Sequence, residues 1–195
     1  NGEVRIHSGA DGALLAVFAA PGGADDFGES LASPGDTNGD GFDEILVGAS
    51  GSDLFGFTNS GGAFLISGVD GSVMTLYTLN QDFAYFGGSV SCPGDLDADG
   101  TPDLFIGALW ADPGGIQRAG SAFLYSTQLG TLIYRFDGTL PSQRFGEVVS
   151  GSGDANGDGT VDLAVGAPAD YQNGSNWEGS VTIFSGATGL EMHKF

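Results

Sequence analysis

Residues 27–50 read FGESLASPGDTNGDGFDEILVGAS. Asp36, Asn38, Asp40, Asp43 and Glu44 crowd into nine residues, and an apolar run follows at once. Neighbouring carboxylates repel one another unless a cation or ample water compensates. The chain supplies little cation of its own: Lys and Arg total 5 against 25 Asp and Glu, a formal net charge of −20. The acids are grouped rather than spread, which favours metal ligation over a diffuse solvating surface.

The stretch recurs. FGGSVSCPGDLDADGTPDLFIGAL begins at Phe86 and FGEVVSGSGDANGDGTVDLAVGAP at Phe145, each 59 residues after the copy before it. The remainder keeps phase: Gly2, Gly61, Gly120 and Gly179 each open a strand-like run. A repeat of this length is one supersecondary unit, too small to bury a core by itself. Each unit reads as four strands. The first is expected from Phe27 to Ser33, and the second, apolar on both faces, from Ile45 to Ala49. The third is EVRIHS and its equivalents, and the fourth follows a Ser-Gly turn. Four antiparallel strands per repeat, stacked face to face, make a β-propeller blade. The expected fold is therefore all-β. It comprises a half-blade at 1–20 and blades at 21–79, 80–138 and 139–195, an array that one chain does not close. An open array exposes strand edges, which suit self-assembly into a ring or filament, or membership of a longer propeller.

Composition agrees. Apolar residues make up 41%, too many for a disordered acidic chain, and 36 glycines without a collagen period suit a turn-rich β protein. A phosphate-binding face needs Lys and Arg, so nucleic acid is excluded as a partner. No apolar run is long enough to insert across a bilayer, and an anionic membrane surface would repel the chain. The single Cys92 allows no intrachain disulfide.

Numbered from its first Asp, the acidic turn carries oxygen ligands at positions 1, 3, 5 and 9, Gly at 6, and a usable carbonyl at 7. The three sets are Asp36, Asn38, Asp40, Phe42 and Glu44; Asp95, Asp97, Asp99, Thr101 and Asp103; and Asp154, Asn156, Asp158, Thr160 and Asp162. Hard oxygen donors without His or Cys favour Ca²⁺ over Zn²⁺, giving three expected Ca²⁺ sites. An EF-hand needs Glu at position 12, where Val47, Ile106 and Val165 stand instead. Asx turns without metal are the bland alternative, but turn chemistry does not call for acids at all four positions.

The pattern FG…GDxNGDG…D…VGAP resembles the FG-GAP repeat of integrin α-subunit propellers and of many bacterial secreted proteins, over the whole chain. The resemblance implies that the acidic turn joins strands one and two of a blade and binds Ca²⁺. It also implies that loops on the opposite side contact partners. Glu44 replaces the family's Asp with Asp43 beside it, so either could complete the first site. Gly-Ala-Pro is intact only at Gly166–Pro168.

Catalytic constellations are not apparent. His7 and His193 are not repeated features, and Cys92 fills a small-residue slot shared with Ser33 and Gly151. Asp25 and Asp26 read as a solvated turn. The loops between strands two and three vary most and carry Phe55, Phe57, Trp110, Arg118, Tyr171 and Trp177, candidate partner-binding residues. The functional expectation is an extracellular Ca²⁺-binding propeller segment, not an enzyme. Its partners are another protein or other copies of itself, with glycans as a further class. The alternatives are a carbohydrate-binding lectin or part of a secreted polysaccharide-degrading enzyme.

Overall fold

The structure, a computed structural model, describes residues 2–171 and 178–195. It is all-β. Strands β1 (Glu3–His7) and β2 (Leu14–Ala19) form a two-stranded sheet. Three four-stranded antiparallel meanders follow: β3 (Leu31–Gly35), β4 (Glu44–Ala49), β5 (Gly62–Ile66) and β6 (Val73–Thr78); β7 (Phe86–Gly94), β8 (Asp103–Ala108), β9 (Ser121–Tyr125) and β10 (Leu132–Asp137); β11 (Val148–Gly151), β12 (Leu163–Ala167), β13 (Ser180–Phe184) and β14 (Glu191–Lys194). These four-stranded sheets are propeller blades.

The second strand of each blade explains the stacking. Successive residues of a strand point to opposite faces, and β8 is buried along its whole length. Leu104, Ile106 and Ala108 enter the core shared with the preceding blade, which holds Leu46, Leu65 and Phe86. Phe105 enters the core shared with the following blade, beside Leu163, Val165 and Phe145. A third core, with Val4, Phe18, Phe27, Val47 and Phe64, joins the two-stranded sheet to the first full blade. Each core is thus a gap between neighbouring sheets.

The first strand begins later than the sequence suggests in two blades. Asp26, Tyr85 and Arg144, one period apart, take φ of 59°, 51° and 60°. The backbone therefore bends just before each Phe-Gly pair, and Phe27 and Phe145 lie in turns. All three phenylalanines are buried, and the chain locks across the gap there: Phe86 N–H donates to Ser60 O at 3.0 Å, and Phe145 N–H to Ala119 O at 2.9 Å. The glycine of the Gly-Ala pair permits this approach. A Cβ on Gly48 would lie 2.0 Å from Gly87 O, and one on Gly107 2.0 Å from Gly146 O.

Antiparallel order sorts the connections by end. The β3–β4, β7–β8 and β11–β12 turns share one end of the blades with the β5–β6, β9–β10 and β13–β14 hairpins. The β4–β5 and β8–β9 loops and the links between blades occupy the other.

Candidate functional site

Each acidic turn is knitted by its own carboxylates. The position-1 acid accepts backbone N–H bonds from beyond: Gly41 to Asp36, Gly100 to Asp95 and Gly159 to Asp154, each at 2.9 Å. Position 3 accepts from the N–H of position 5, and position 5 from that of position 7, in every copy. These bonds favour the charged form. The Gly41 N–H holds Asp36 below the usual carboxylate range, and the Thr160 N–H does the same for Asp158.

Position 9 differs: Glu44, Asp103 and Asp162 are fully buried at the head of the second strand or beside it. Each accepts the N–H of position 2, from Thr37 (2.7 Å), Leu96 (2.8 Å) and Ala155 (2.8 Å). Glu44, rather than the exposed Asp43, occupies this slot in the first turn. Thr37 adds its hydroxyl to Glu44 at 2.6 Å, a contact the repeat pattern could not reveal because Leu96 and Ala155 hold the equivalent places.

The middle turn brings three carboxylates together. Ligand oxygens of Asp95, Asp97 and Asp99 lie within 4.8 Å of one another. In the outer turns the Asn38 and Asn156 amides donate to Asp40 and Asp158 at 2.9 Å, partly relieving the crowding. Asp97 has no such donor to offer. Asp103 beneath it keeps Oδ1 buried without a hydrogen-bond partner. Burial, reinforced by the charges of Asp97 and Asp99, pushes its carboxyl up to about 6. Hairpins brace these turns: Ser126 donates to Asp99 at 2.8 Å, and Thr127 to Pro102 O at 2.6 Å.

At the other end, the structure brings together Trp110 and Arg118, whose guanidinium carbon sits 4.8 Å from the ring centre. Tyr171 reaches the neighbouring link through a 2.9 Å bond to Pro141 O. Phe55 is exposed and Phe57 half-buried on the β4–β5 loop, while Trp177 lies outside the described residues. Sequence reasoning missed Gln81, Asp82, Phe83 and Gln117, which line a cleft of about 430 Å³ with Trp110 and Arg118. They come from two different connections, so no local pattern joins them. Cys92 is half-buried against the core, and burial pushes its thiol up to about 12, far from a reactive thiolate. His7 and His193 are exposed on strands.

Stacked four-stranded blades with an acidic turn between the first two strands define a β-propeller of a particular repeat class. The FG-GAP repeat model matches residues 27–66, 87–125 and 145–184, and the chain belongs to that family. It is 35% identical to integrin alpha-V of Gallus gallus over 163 residues, covering 80% of this chain and 15% of that protein. It is 31% identical to human integrin alpha-8 over 178 residues, covering 86% and 16%. To integrin alpha-5 of Xenopus laevis it is 30% identical over 184 residues, covering 85% and 17%. The chain spans about a sixth of the length of these relatives. Among the described residues no helix is long and apolar enough to cross a membrane.

Proposed function

We propose that this chain is an extracellular, Ca²⁺-stabilised FG-GAP propeller segment that serves protein binding, adhesion or assembly with other copies, with blades at 21–79, 80–138 and 139–195. The observation that carries the metal reading is the middle turn, where three close carboxylates stand over a buried Asp103 with an unpartnered oxygen. Hard oxygen donors in that number suit Ca²⁺. Asp95, Asp97, Asp99 and Asp103 would hold it with the Thr101 carbonyl. Asp36, Asn38, Asp40, Glu44 and the Phe42 carbonyl would do so in the first turn, and Asp154, Asn156, Asp158, Asp162 and the Thr160 carbonyl in the third. Bound Ca²⁺ supplies the positive charge these turns lack, and its binding free energy adds to that of folding.

Similarity to integrin alpha chains supports the adhesive role. Ca²⁺ is plentiful outside cells and scarce in the cytosol, which supports the extracellular setting. A binding role rather than catalysis fits carboxylate clusters that fall largely in the acidic turns and a protonated Cys92. The test is calorimetric melting in EDTA and then in excess Ca²⁺. At about 100 times Kd each site adds about 2.7 kcal/mol, or roughly 5–10 °C for a chain of this size. Asp103→Asn removes a buried charge, so it melts no lower than the parent in EDTA yet loses part of the Ca²⁺ increment. A melting temperature indifferent to Ca²⁺ overturns the metal reading.

A further inference from the structure

The cleft at the end opposite the acidic turns departs from the repeat that builds it. One period apart, Trp110 corresponds to Gly51 and Ala169, Phe83 to Ala24 and Ser142, and Gln81 to Gly22 and Leu140. The blade backbone needs none of these large side chains, because it forms without them in the neighbouring copies. Their meeting around about 430 Å³ of space is thus particular to this gap and not a general requirement of the blade.

The backbone there is also held against its preference. Phe83, Arg118 and Ser142 take φ of 56°, 53° and 59°, a left-handed conformation costly for residues with a Cβ. Backbone bonds fix them across the gap, with Phe83 N–H to Thr58 O at 2.7 Å and Ser142 N–H to Gln117 O at 2.9 Å. Gln81 clamps the two walls, donating to Trp110 O at 3.2 Å and accepting from Asp112 N–H at 3.0 Å. Asp82 accepts from Thr58 N–H at 2.8 Å, and Asp112 from Arg118 N–H at 2.6 Å, each through Oδ1. Among the described residues the second oxygen of each makes no hydrogen bond. The other four basic side chains each sit beside a carboxylate. Arg118 has none within ion-pair distance among the described residues and lies over Trp110 instead. Phe83 is 47% exposed.

We infer that this cleft binds a glycan, a neutral oligosaccharide segment seated between Phe83, Trp110, Arg118 and the Asp82 and Asp112 carboxylates. A simple anion meets two acids and a chain of net charge −20, while a simple cation meets Arg118. An apolar ligand would strand the polar groups without partners. Sugar hydroxyls both donate and accept, so they satisfy carboxylate and guanidinium together, and the C–H faces of a pyranose pack on aromatic rings. The volume lies within the usual range for ligand sites. The inference rests on reading this chain as a binding module and names the class of partner it takes.

Trp110 and Trp177 are the only tryptophans, so in a Trp177→Phe chain indole fluorescence reports on the cleft alone. The probes are trisaccharides of glucose, N-acetylglucosamine, galactose and mannose, with an acidic hexapeptide alongside. The expected result is a saturable change with at least one sugar, at a Kd of about 1 mM or below. Arg118→Met should weaken it at least about tenfold, and Asp82→Asn should also weaken it, with melting in Ca²⁺ unchanged. No saturable change with any of the four sugars overturns the inference, as does equal affinity in both variants. Saturation by the peptide alone overturns it in favour of a protein-binding cleft. Melting in EDTA and Ca²⁺ is read on the same samples, so failure of the metal reading shows separately from failure of the glycan.

Discussion

Replacing Gly107 by Ala tests the way the blades interlock. Gly107 lies in β8 without a positive φ, and a Cβ there would stand 2.0 Å from Gly146 O and 3.1 Å from its carbonyl carbon. Ordinary contact begins near 3.4 Å, so the two sheets must part by more than 1 Å. The obstacle is backbone, fixed by the Phe145–Ala119 bond, and no side chain can swing away. Opening about 1.4 Å over a patch of about 100 Å² leaves about 140 Å³ of void, which at about 24 cal/mol per Å³ costs roughly 3 kcal/mol. For a chain of this size that lowers the melting temperature by roughly 6–12 °C. The intrinsic effect has the opposite sign, because Ala in a strand interior is favoured over Gly by roughly 0.5–1 kcal/mol. Gly9→Ala is the control, since nothing lies within 4 Å of its Cβ position, and it should move stability by no more than about 0.5 kcal/mol. Calorimetry in saturating Ca²⁺ reads both. A Gly107→Ala protein that melts with, or above, its parent refutes the interlock.

Two further outcomes follow from local backbone and burial. Ala98 holds φ of 61° where the first and third turns have Gly39 and Gly157, so Ala98→Gly should stabilise by up to about 1 kcal/mol. Thermal melting checks this, and a lower melting temperature contradicts it. With its thiol pushed up to about 12 by burial, Cys92 should react with a disulfide reagent at pH 8 at least about 50-fold more slowly in the folded chain than in denaturant. Equal rates would show that the side chain is not held in the core.

The repeat made most of the fold legible. The third and fourth strands of the sheets recur in step with the 59-residue phase, and the doubly apolar second strands mark the gaps between sheets. The start of the first strand was not legible, because Asp26, Tyr85 and Arg144 adopt positive φ without being glycine, and side-chain chemistry as different as theirs announces no turn. The acidic turns stand out in the sequence, since spacing by two is a local property. Whether Asp43 or Glu44 faces the turn depended on strand register, and burial places Glu44 inward. Trp110 and Arg118 stood out singly, but their meeting with Gln81 and Phe83 depends on blade stacking, which one repeat alone does not encode.

Because each apolar core is a seam between two sheets, sequence neighbours are not energetic neighbours. Leu46 and Val47 are adjacent on β4, yet one belongs to the core shared with the following blade and the other to the core shared with β1 and β2. Leu46 shares its core with residues some sixty positions away, Leu104 and Ile106, as well as with Leu65 of its own sheet. Stability then propagates as a nearest-neighbour chain of links. Damage to one seam is felt by the two sheets that share it before any other, and a stability map of this molecule would be striped rather than centred.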